Sequence, residues 1–346
     1  MEHPTTIAVD LAKSVFEVSI SREPGRVCQR KRLTRGQFAR FLALQPSATV
    51  LMEACGTAHY WARLAQDAGH RSVLLPVQHV CPYRLRDKTD HTDTRALLEA
   101  FRNEKISPVP VKTPAQQAIA SLHRIRSGWL ATRTARLNTI RGLLRELGIV
   151  IPQGARLVLP RLAAALADPT TEIPQALHPV LLCAAAEIRQ LEADIKEVER
   201  QLEELSKSLP ACSSLCSVPG IGLLSSTALI ASVGDPSRFK SGRRLASSLG
   251  LVPREHSSGS SRHLGSITKR GDSYLRTLLT HGARSVLWTA KGEKNPDPLK
   301  RWALCVQARR GHNRAAIALA NKLARIAWAV WVRNTTYQPR TAKALS

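Results

Sequence analysis

Acidic side chains are scarce in this sequence: 26 Asp and Glu stand against 51 Lys and Arg, a formal net charge of +25 over 346 residues. Charge of that size repels itself in a compact chain, which points to a large polyanionic partner, nucleic acid first and a membrane surface second. Aromatic residues make up only 4%. That argues against a module that stacks bases on rings and favours contact with backbone phosphates. No apolar run approaches the ~20 residues of a membrane-spanning helix, and the start "MEHPTTIAVDLAK" lacks the features of a signal peptide. The seven cysteines are scattered, with only Cys212 and Cys216 close together. Without a second pair or a histidine at ligand spacing, a zinc site is not expected, and the thiols read as reduced in a cytoplasmic protein.

What is present begins with alternation. In "TTIAVDLAKSVFEVSI" (5–20), Ile7 and Val9, then Phe16, Val18 and Ile20, recur at strand spacing around a short turn at Ala12 to Ser14. "ATVLMEACG" (48–56) is a continuous apolar run that ends in Glu53, as a buried central strand does. "AHYWARLAQDAG" reads as a helix closing at Gly69, and "RSVLLPV" as the next strand. Strands alternating with helices over the first hundred residues predict an α/β domain with a mixed sheet.

After Pro114 the pattern turns helical. Ile119, Leu122, Ile125, Trp129, Leu137, Ile140, Leu144 and Leu147 fall largely at helical spacing, and no acid interrupts the run from Lys105 to Arg145. A Pro-containing stretch follows, from Ile151 to Pro179. Then Ile188, Leu191, Ile195, Val198, Leu202, Leu205 and Leu209 step by three and four. This heptad seam predicts a short coiled coil and a dimer, although a buried intramolecular helix has the same pattern. From Pro219 the chain reads as a mostly helical domain. Gly220-Ile221-Gly222 between apolar helices resembles a helix-hairpin-helix, where backbone N–H groups meet a phosphate; many tight turns share it. Residues 238–284 hold ten Arg or Lys against Glu255 and Asp272, and no acid follows Asp297. The last long pattern, 315–332, reads as a core helix with a basic outer face.

Against this background the acids that do occur stand out. "RLRDKTDHTDTRALLEA" (84–100) sets Asp90 and Asp93 three residues apart at the start of a helical pattern, hence on one face. Asp10 ends one strand and Glu53 another, and an acid in a nearly apolar strand is costly unless paired or metal-bound. Mg²⁺ takes oxygen ligands and a few carboxylates, and such ions act on phosphodiesters. The pair Asp90 and Asp93 alone also fits a helix N-cap with a first-turn acid; Asp10 and Glu53 do not fit that explanation.

"IAVDLAKSVFEV", "MEACGTAHYWAR" and "KTDHTDTRALLEA" resemble the DEDD domain of the IS110-family transposases, in particular their IS1111 branch. The stretch from "PGIGLLSSTALIASVGDPSRFK" to "GDSYLR" is similar to the same family's C-terminal transposase domain. The resemblance implies a RuvC-like, ribonuclease-H-like domain over 1–150 with a trailing basic helix. It further implies a linker and coiled coil over 151–210, a C-terminal domain over 211–337 and a tail over 338–346. It implies a DNA recombinase whose Asp10, Glu53, Asp90 and Asp93 hold Mg²⁺, or Mn²⁺ in its place. In "GLVPREHSSGSS" it assigns the nucleophile to Ser258, before Gly259, with Ser257 the rival and Ser260 and Ser261 less favoured. Gly220, Gly222, Arg254, Arg262, Lys269 and Arg270 are the candidate nucleic-acid contacts. The implied partners are donor and target DNA, a guide RNA encoded by the element, and further copies of the chain as a homodimer pairing into a tetramer on DNA; no membrane is expected. The implied setting is bacterial cytoplasm, at the nucleoid. Two other classes fit parts of the pattern: a junction-resolving nuclease that uses water, and a non-catalytic nucleic-acid-binding protein for which Asp10 and Glu53 are dispensable.

Overall fold

A computed structural model describes residues 5–24, 26–84, 90–259 and 261–339, with the side chains of Asp90 and His91 outside the description. The chain divides between Ala115 and Gln116 into two compact units.

In the first unit, β1 (Thr6–Asp10), β2 (Val15–Ser21) and β3 (Gln29–Thr34) form an antiparallel meander. Then come α1 (Arg35–Leu44), β4 (Thr49–Glu53), α2 (Ala58–Asp67), β5 (Arg71–Leu75), α3 (Val77–Val80) and α4 (Asp90–Phe101). The sheet order is β3-β2-β1-β4-β5, with β1, β4 and β5 parallel. Both faces are covered, which is why β4 reads as one apolar run. Ile7, Val9, Phe16, Val18 and Met52 pack with Phe38, Phe41 and Trp61 of α1 and α2. Ala8, Leu51, Val73 and Leu75 pack on the other face with Ala96, Leu97 and Ala100 of α4. The expected mixed α/β domain is present. The sequence reading passed over β3 and α1: β3 carries Arg30, Lys31 and Arg32 and is a charged edge strand, without apolar alternation.

The second unit continues with α5 (Pro114–Glu146), α6 (Ala155–Ala167) and α7 (His178–Lys207). The sequence-based boundary at 150 follows the basic helix; the division in the structure precedes most of it, because α5 packs with α6 and α7. Leu137, Ile140 and Leu144 of α5 meet Val158 and Leu162 of α6 and Leu181 and Ile188 of α7. Ile119 meets Val198 and Leu202. The pairs Arg126–Glu199, Arg133–Glu192 and Arg136–Glu187 run in opposite directions along α5 and α7, so the two helices are antiparallel. The heptad seam is buried within the chain at Ile188, Ile195, Val198 and Leu202, the intramolecular packing that the same pattern allows.

The remainder is mostly helical, as expected: α8 (Pro210–Cys216), α9 (Leu223–Val233), α10 (Gly242–Ser248), a hairpin of β6 (Pro253–Glu255) and β7 (Leu264–Ile267), α11 (Ser273–Gly292), α12 (Pro298–Arg310) and α13 (His312–Arg333). By length and composition α13 could cross a membrane. Its Leu319, Ala320, Leu323, Ala324 and Ala327 are the fully buried centre of this core, and Arg325 and Arg333 lie outside, as the basic-faced core helix predicted.

Two glycines fix how α9 meets α11. Gly220 has φ +78° and lies against Gly282, and a Cβ on Gly282 would overlap the Gly220 carbonyl oxygen. Close backbone packing is thus one physical reason for Gly220. Gly128 in α5 has open space around it. We expect Gly282→Ala to lower stability by about 1–3 kcal/mol through overpacking, and Gly128→Ala to raise it by ~0.5–1 kcal/mol through helix propensity. Calorimetric melting of the two variants reads both signs.

A buried histidine ties three helices together. His123 of α5 is 2.9 Å from the Tyr274 hydroxyl through Nδ1 and 3.0 Å from Thr227 Oγ1 through Nε2. The Thr227 hydroxyl donates its hydrogen to the Leu223 carbonyl, so it accepts from Nε2–H, and Nδ1 accepts from Tyr274. Burial, then the nearby Arg126 charge, lowers the His123 pKa from 6.5 to about 4. Because the folded pKa is the lower one, the unfolded chain takes up the proton first as pH falls. Stability from this group is present above 6.5 and is lost progressively down to about 4. Between pH 7 and pH 4 the loss should be on the order of 2 kcal/mol, measured by urea unfolding. His123→Gln should flatten that dependence.

Candidate functional site

The strand register brings Asp10 and Glu53 side by side. Val9 is paired with Met52 across the parallel β1–β4 ladder, and Asp10 and Glu53 are the next residues on each strand. Side chains alternate along a strand. Ala8 and Leu51 face α4 and Val9 and Met52 face away from it, so Asp10 and Glu53 return to the α4 side. Both lie at the carboxyl ends of parallel strands, where the backbone turns away and leaves room for a ligand. The Cys55 thiol registers their presence: partial burial, then the Glu53 and Asp10 charges, push its pKa up.

Asp93 reaches the same end of the sheet from α4 and is buried. Beside it the hydroxyls of Thr94 and of Ser19 on β2 are 2.9 Å apart in a buried contact that seats α4 on the sheet. Asp90 begins α4, and its side chain lies outside the described residues. Its backbone position, one helical turn from Asp93, is as the spacing predicted.

Two charged residues were missed in the sequence. Glu17 on β2 pairs in register with Asp10, is 4% exposed, and has Arg32 at 3.9 Å. Its signal was available in "VFEVSI", an acid within an apolar strand. Arg84 was hidden in a basic cluster. It follows a short 3₁₀ turn (Cys81–Tyr83) anchored where Asn103 donates to the Tyr83 hydroxyl at 2.8 Å. Its terminal nitrogen donates to Glu53 Oε1 at 2.6 Å, and its Nε is 2.6 Å from Asp93 Oδ1. Burial opposes the guanidinium's charge, but Glu53 and Asp93 outweigh it and raise the Arg84 pKa.

The two contacts of Arg84 differ in quality. The one to Glu53 is a charged hydrogen bond. At Asp93 the atoms are close but misdirected: Nε and Oδ1 are both buried without a hydrogen-bond partner among the described residues. A buried carboxylate oxygen without a hydrogen bond is suited to a cation. Asp10, Glu53 and Asp93 are all hard oxygen donors, so they fit a divalent ion of the Mg²⁺ class. Among the described side chains, no three His, Cys, Asp or Glu are gathered closely enough to form a preformed cage; Arg84 bridges two of the acids instead.

In the second unit the serines cap an exposed hairpin. Ser258 and Ser261 bridge each other through their backbones around Gly259, which has φ +56° and open space where a Cβ would be. Ser260 lies outside the described residues. The Ser257 hydroxyl donates to Glu255 Oε1 at 2.9 Å, and Arg262 donates to the same oxygen at 3.1 Å. Those two hydrogen bonds, and the Arg262 charge, hold the Glu255 carboxyl below its usual range. Ser261 is 2.9 Å from His263 Nε2. Thus Ser257 and Ser261 have neighbouring polar partners, and the Ser258 side chain has none among the described residues. Arg254 is on β6, and Lys269 and Arg270 follow β7 in a loop clamped to α10: Lys269 N–H bonds the Gly250 carbonyl, and Arg276 binds the Leu249 and Arg270 carbonyls. The hairpin thus stands on a fixed base. Gly222 caps α9, with open space where a Cβ would be.

Comparison with known proteins matches these two parts separately. Residues 7–149 match the DEDD transposase model of the IS110 group, described as "Transposase", and residues 212–297 match "Transposase IS116/IS110/IS902 family". The chain is 42% identical over 335 residues to a "Probable family 20 transposase" of Pseudomonas aeruginosa, covering 96% of this chain and 98% of that protein. It is 38% identical to the "Transposase for insertion sequence element IS1111A" of Coxiella burnetii, covering 96% and 91%. It is 35% identical to the "Transposase for insertion sequence element IS1328" of Yersinia enterocolitica, covering 97% and 99%. Nearly end-to-end similarity, with both family models in order, makes this chain a member of the IS110 family of insertion-sequence transposases.

Proposed function

We propose that this transposase cuts and rejoins DNA through a serine nucleophile, with a divalent metal held by Asp10, Glu53, Asp90 and Asp93. The observation that carries the metal reading is the meeting of Asp10, Glu53 and buried Asp93 at one end of the sheet, with Asp93 Oδ1 lacking a hydrogen bond among the described residues. The sheet order, a three-strand meander joined to two parallel strands, supports a RuvC-like, ribonuclease-H-like domain. A bound Mg²⁺ or Mn²⁺ would polarise the phosphate and stabilise its developing charge.

Ser258 supplies the attacking oxygen. It sits at the exposed tip of the hairpin beside a glycine that leaves space for a nucleic-acid backbone. Its oxygen bonds to phosphorus, the bond from phosphorus to the adjoining nucleotide breaks, and that nucleotide leaves as a free hydroxyl with the serine's proton. Attack of a free hydroxyl on the phosphoserine reverses the step without an external energy source. Arg254, Arg262, Lys269 and Arg270 bind phosphate at the hairpin and its base, and Gly220 and Gly222 open the start of α9 to a backbone phosphate.

A short element-encoded RNA pairs with donor and target DNA and directs the cut. Family resemblance supports this, as does a chain rich in phosphate-directed charge with few aromatic residues for reading bases. The chain works in the bacterial cytoplasm as dimers that pair into tetramers on DNA.

The test uses the protein purified with the nucleic acid it retains from cells carrying the flanking element DNA. Sequencing should return a discrete RNA that maps beside the gene. A nicked element-end duplex, from which the cleaved strand escapes, should then trap a denaturant-stable protein–DNA adduct. Ser258→Ala should reduce the adduct by roughly 1000-fold, Glu53→Gln should do the same, and Ser257→Ala should retain it. Adduct in Ser258→Ala but not Ser257→Ala would move the nucleophile by one residue. Metal-dependent cleavage with no adduct in any protein would replace this reading with the water-using resolvase.

A further inference from the structure

Three candidates stand out beyond the residues already assigned. A cavity of about 790 Å³ beside α13 is lined by Lys322, Arg325, Trp328 and Tyr337, and its lining does not point to one ligand chemistry. The outer face of α11 carries His281, Arg284 and the exposed Trp288, with nothing to say which partner covers it. Arg84 is different: its contacts are specific, buried and directed at the acids.

We infer that Arg84 is a built-in counter-ion that occupies the acid cluster in the absence of metal, and that metal enters by displacing its guanidinium from Glu53 and Asp93. The inference rests on the metal reading above and adds a competitor to it. Arg84 is 20% exposed in its side chain, Glu53 13% and Asp93 6%, so the three charges face one another largely out of water. A buried and a partly buried carboxylate without a cation would be destabilising, and one guanidinium reaches both. It covers them unequally. Glu53 receives a hydrogen bond, whereas Asp93 has charge proximity without one.

The anchoring of Arg84 suits a side chain that moves while its backbone stays. Its N–H bonds the Cys81 carbonyl at 3.1 Å, Val80 is fully buried, and Tyr83 is tied to Asn103. Among the described residues, its remaining terminal nitrogen has the exposed Cys81 sulfur at 3.4 Å, a weak partner. A guanidinium released from the acids at this rim would meet an incoming DNA phosphate, for which its fork is well shaped. Metal loading is thereby coupled to DNA: phosphate draws Arg84 outward and lowers the barrier to the ion. Arg84 is a positioning residue, since it acts through the acids.

Mn²⁺ titration by calorimetry, with thermal melting of the same full-length proteins, tests this without any activity assay. Arg84→Gln should bind Mn²⁺ about tenfold or more tightly than wild type in the absence of DNA, because one charge competitor is gone. Its metal-free form should melt lower than wild type and regain the difference when Mn²⁺ is added. Arg84→Lys, a compact charge that cannot fork to both acids, should fall between the two and serves if Arg84→Gln does not fold. A duplex oligonucleotide should tighten Mn²⁺ binding to wild type and leave Arg84→Gln unchanged. Asp10→Asn, outside the Arg84 pairs, separates the two possible failures. If Asp10→Asn weakens Mn²⁺ binding while the Arg84 variants bind no more tightly than wild type, the metal site stands and the counter-ion inference is overturned. If Asp10→Asn leaves Mn²⁺ binding unchanged, the metal reading falls and takes this inference with it.

Discussion

Glu53 and Asp93 are carboxylates at the end of an apolar sheet, and each would lose much of its hydration there, at a cost of several kcal/mol per charge. The Arg84 guanidinium at 2.6 Å from both offsets that cost. The arrangement around it follows from the same need. The turn after α3 returns Arg84 to the carboxyl ends of β4 and β1, and the Ser19–Thr94 contact seats α4 so that Asp93 faces inward. The sheet face beneath α4 is accordingly polar at this end, with Asp10, Glu17 and Ser19, and apolar elsewhere, with Ala8, Leu51 and Val73.

In the second unit the serine proposed as nucleophile sits on a short hairpin. Two strands of three and four residues have little stability of their own. The rigidity comes from below: Gly250 and Gly271, both at positive φ, let the loop after β7 press against the end of α10, and Asn321 of α13 donates to the Leu251 carbonyl. Side-chain bonds hold Ser257 and Ser261 to Glu255 and His263, and Ser258 is left facing outward with no partner among the described residues. A serine hydroxyl is a weak nucleophile by itself, so the proposed attack requires a phosphate already bound by cations.

Much of this was legible in the sequence because strand and helix periodicities are local. Ile7, Val9, Phe16 and Val18 announced the first hairpin, and Asp10 and Glu53 stood out as acids that closed apolar strands. What stayed hidden depends on tertiary neighbours. Arg84 looked like one more base in a basic run, since nothing local says that its fork meets residues 31 positions before and 9 positions after it. The seam of α7 was visible, but its partner was not: a heptad pattern looks alike whether the facing helix belongs to another chain or, as here, to α5. Gly220 drew a phosphate-binding reading from its turn, while its contact with Gly282 lies 62 residues away. The edge strand β3 was missed because charge had replaced alternation.

The most direct test of the acid cluster is anomalous scattering from crystals of the full chain soaked in Mn²⁺. A peak bounded by the carboxylates of Asp10, Glu53 and Asp93, with the Arg84 guanidinium moved off both partners, is the expected result. Crystals soaked at saturating Mn²⁺ that show no peak there, with Arg84 still paired to Glu53 and Asp93, would contradict it.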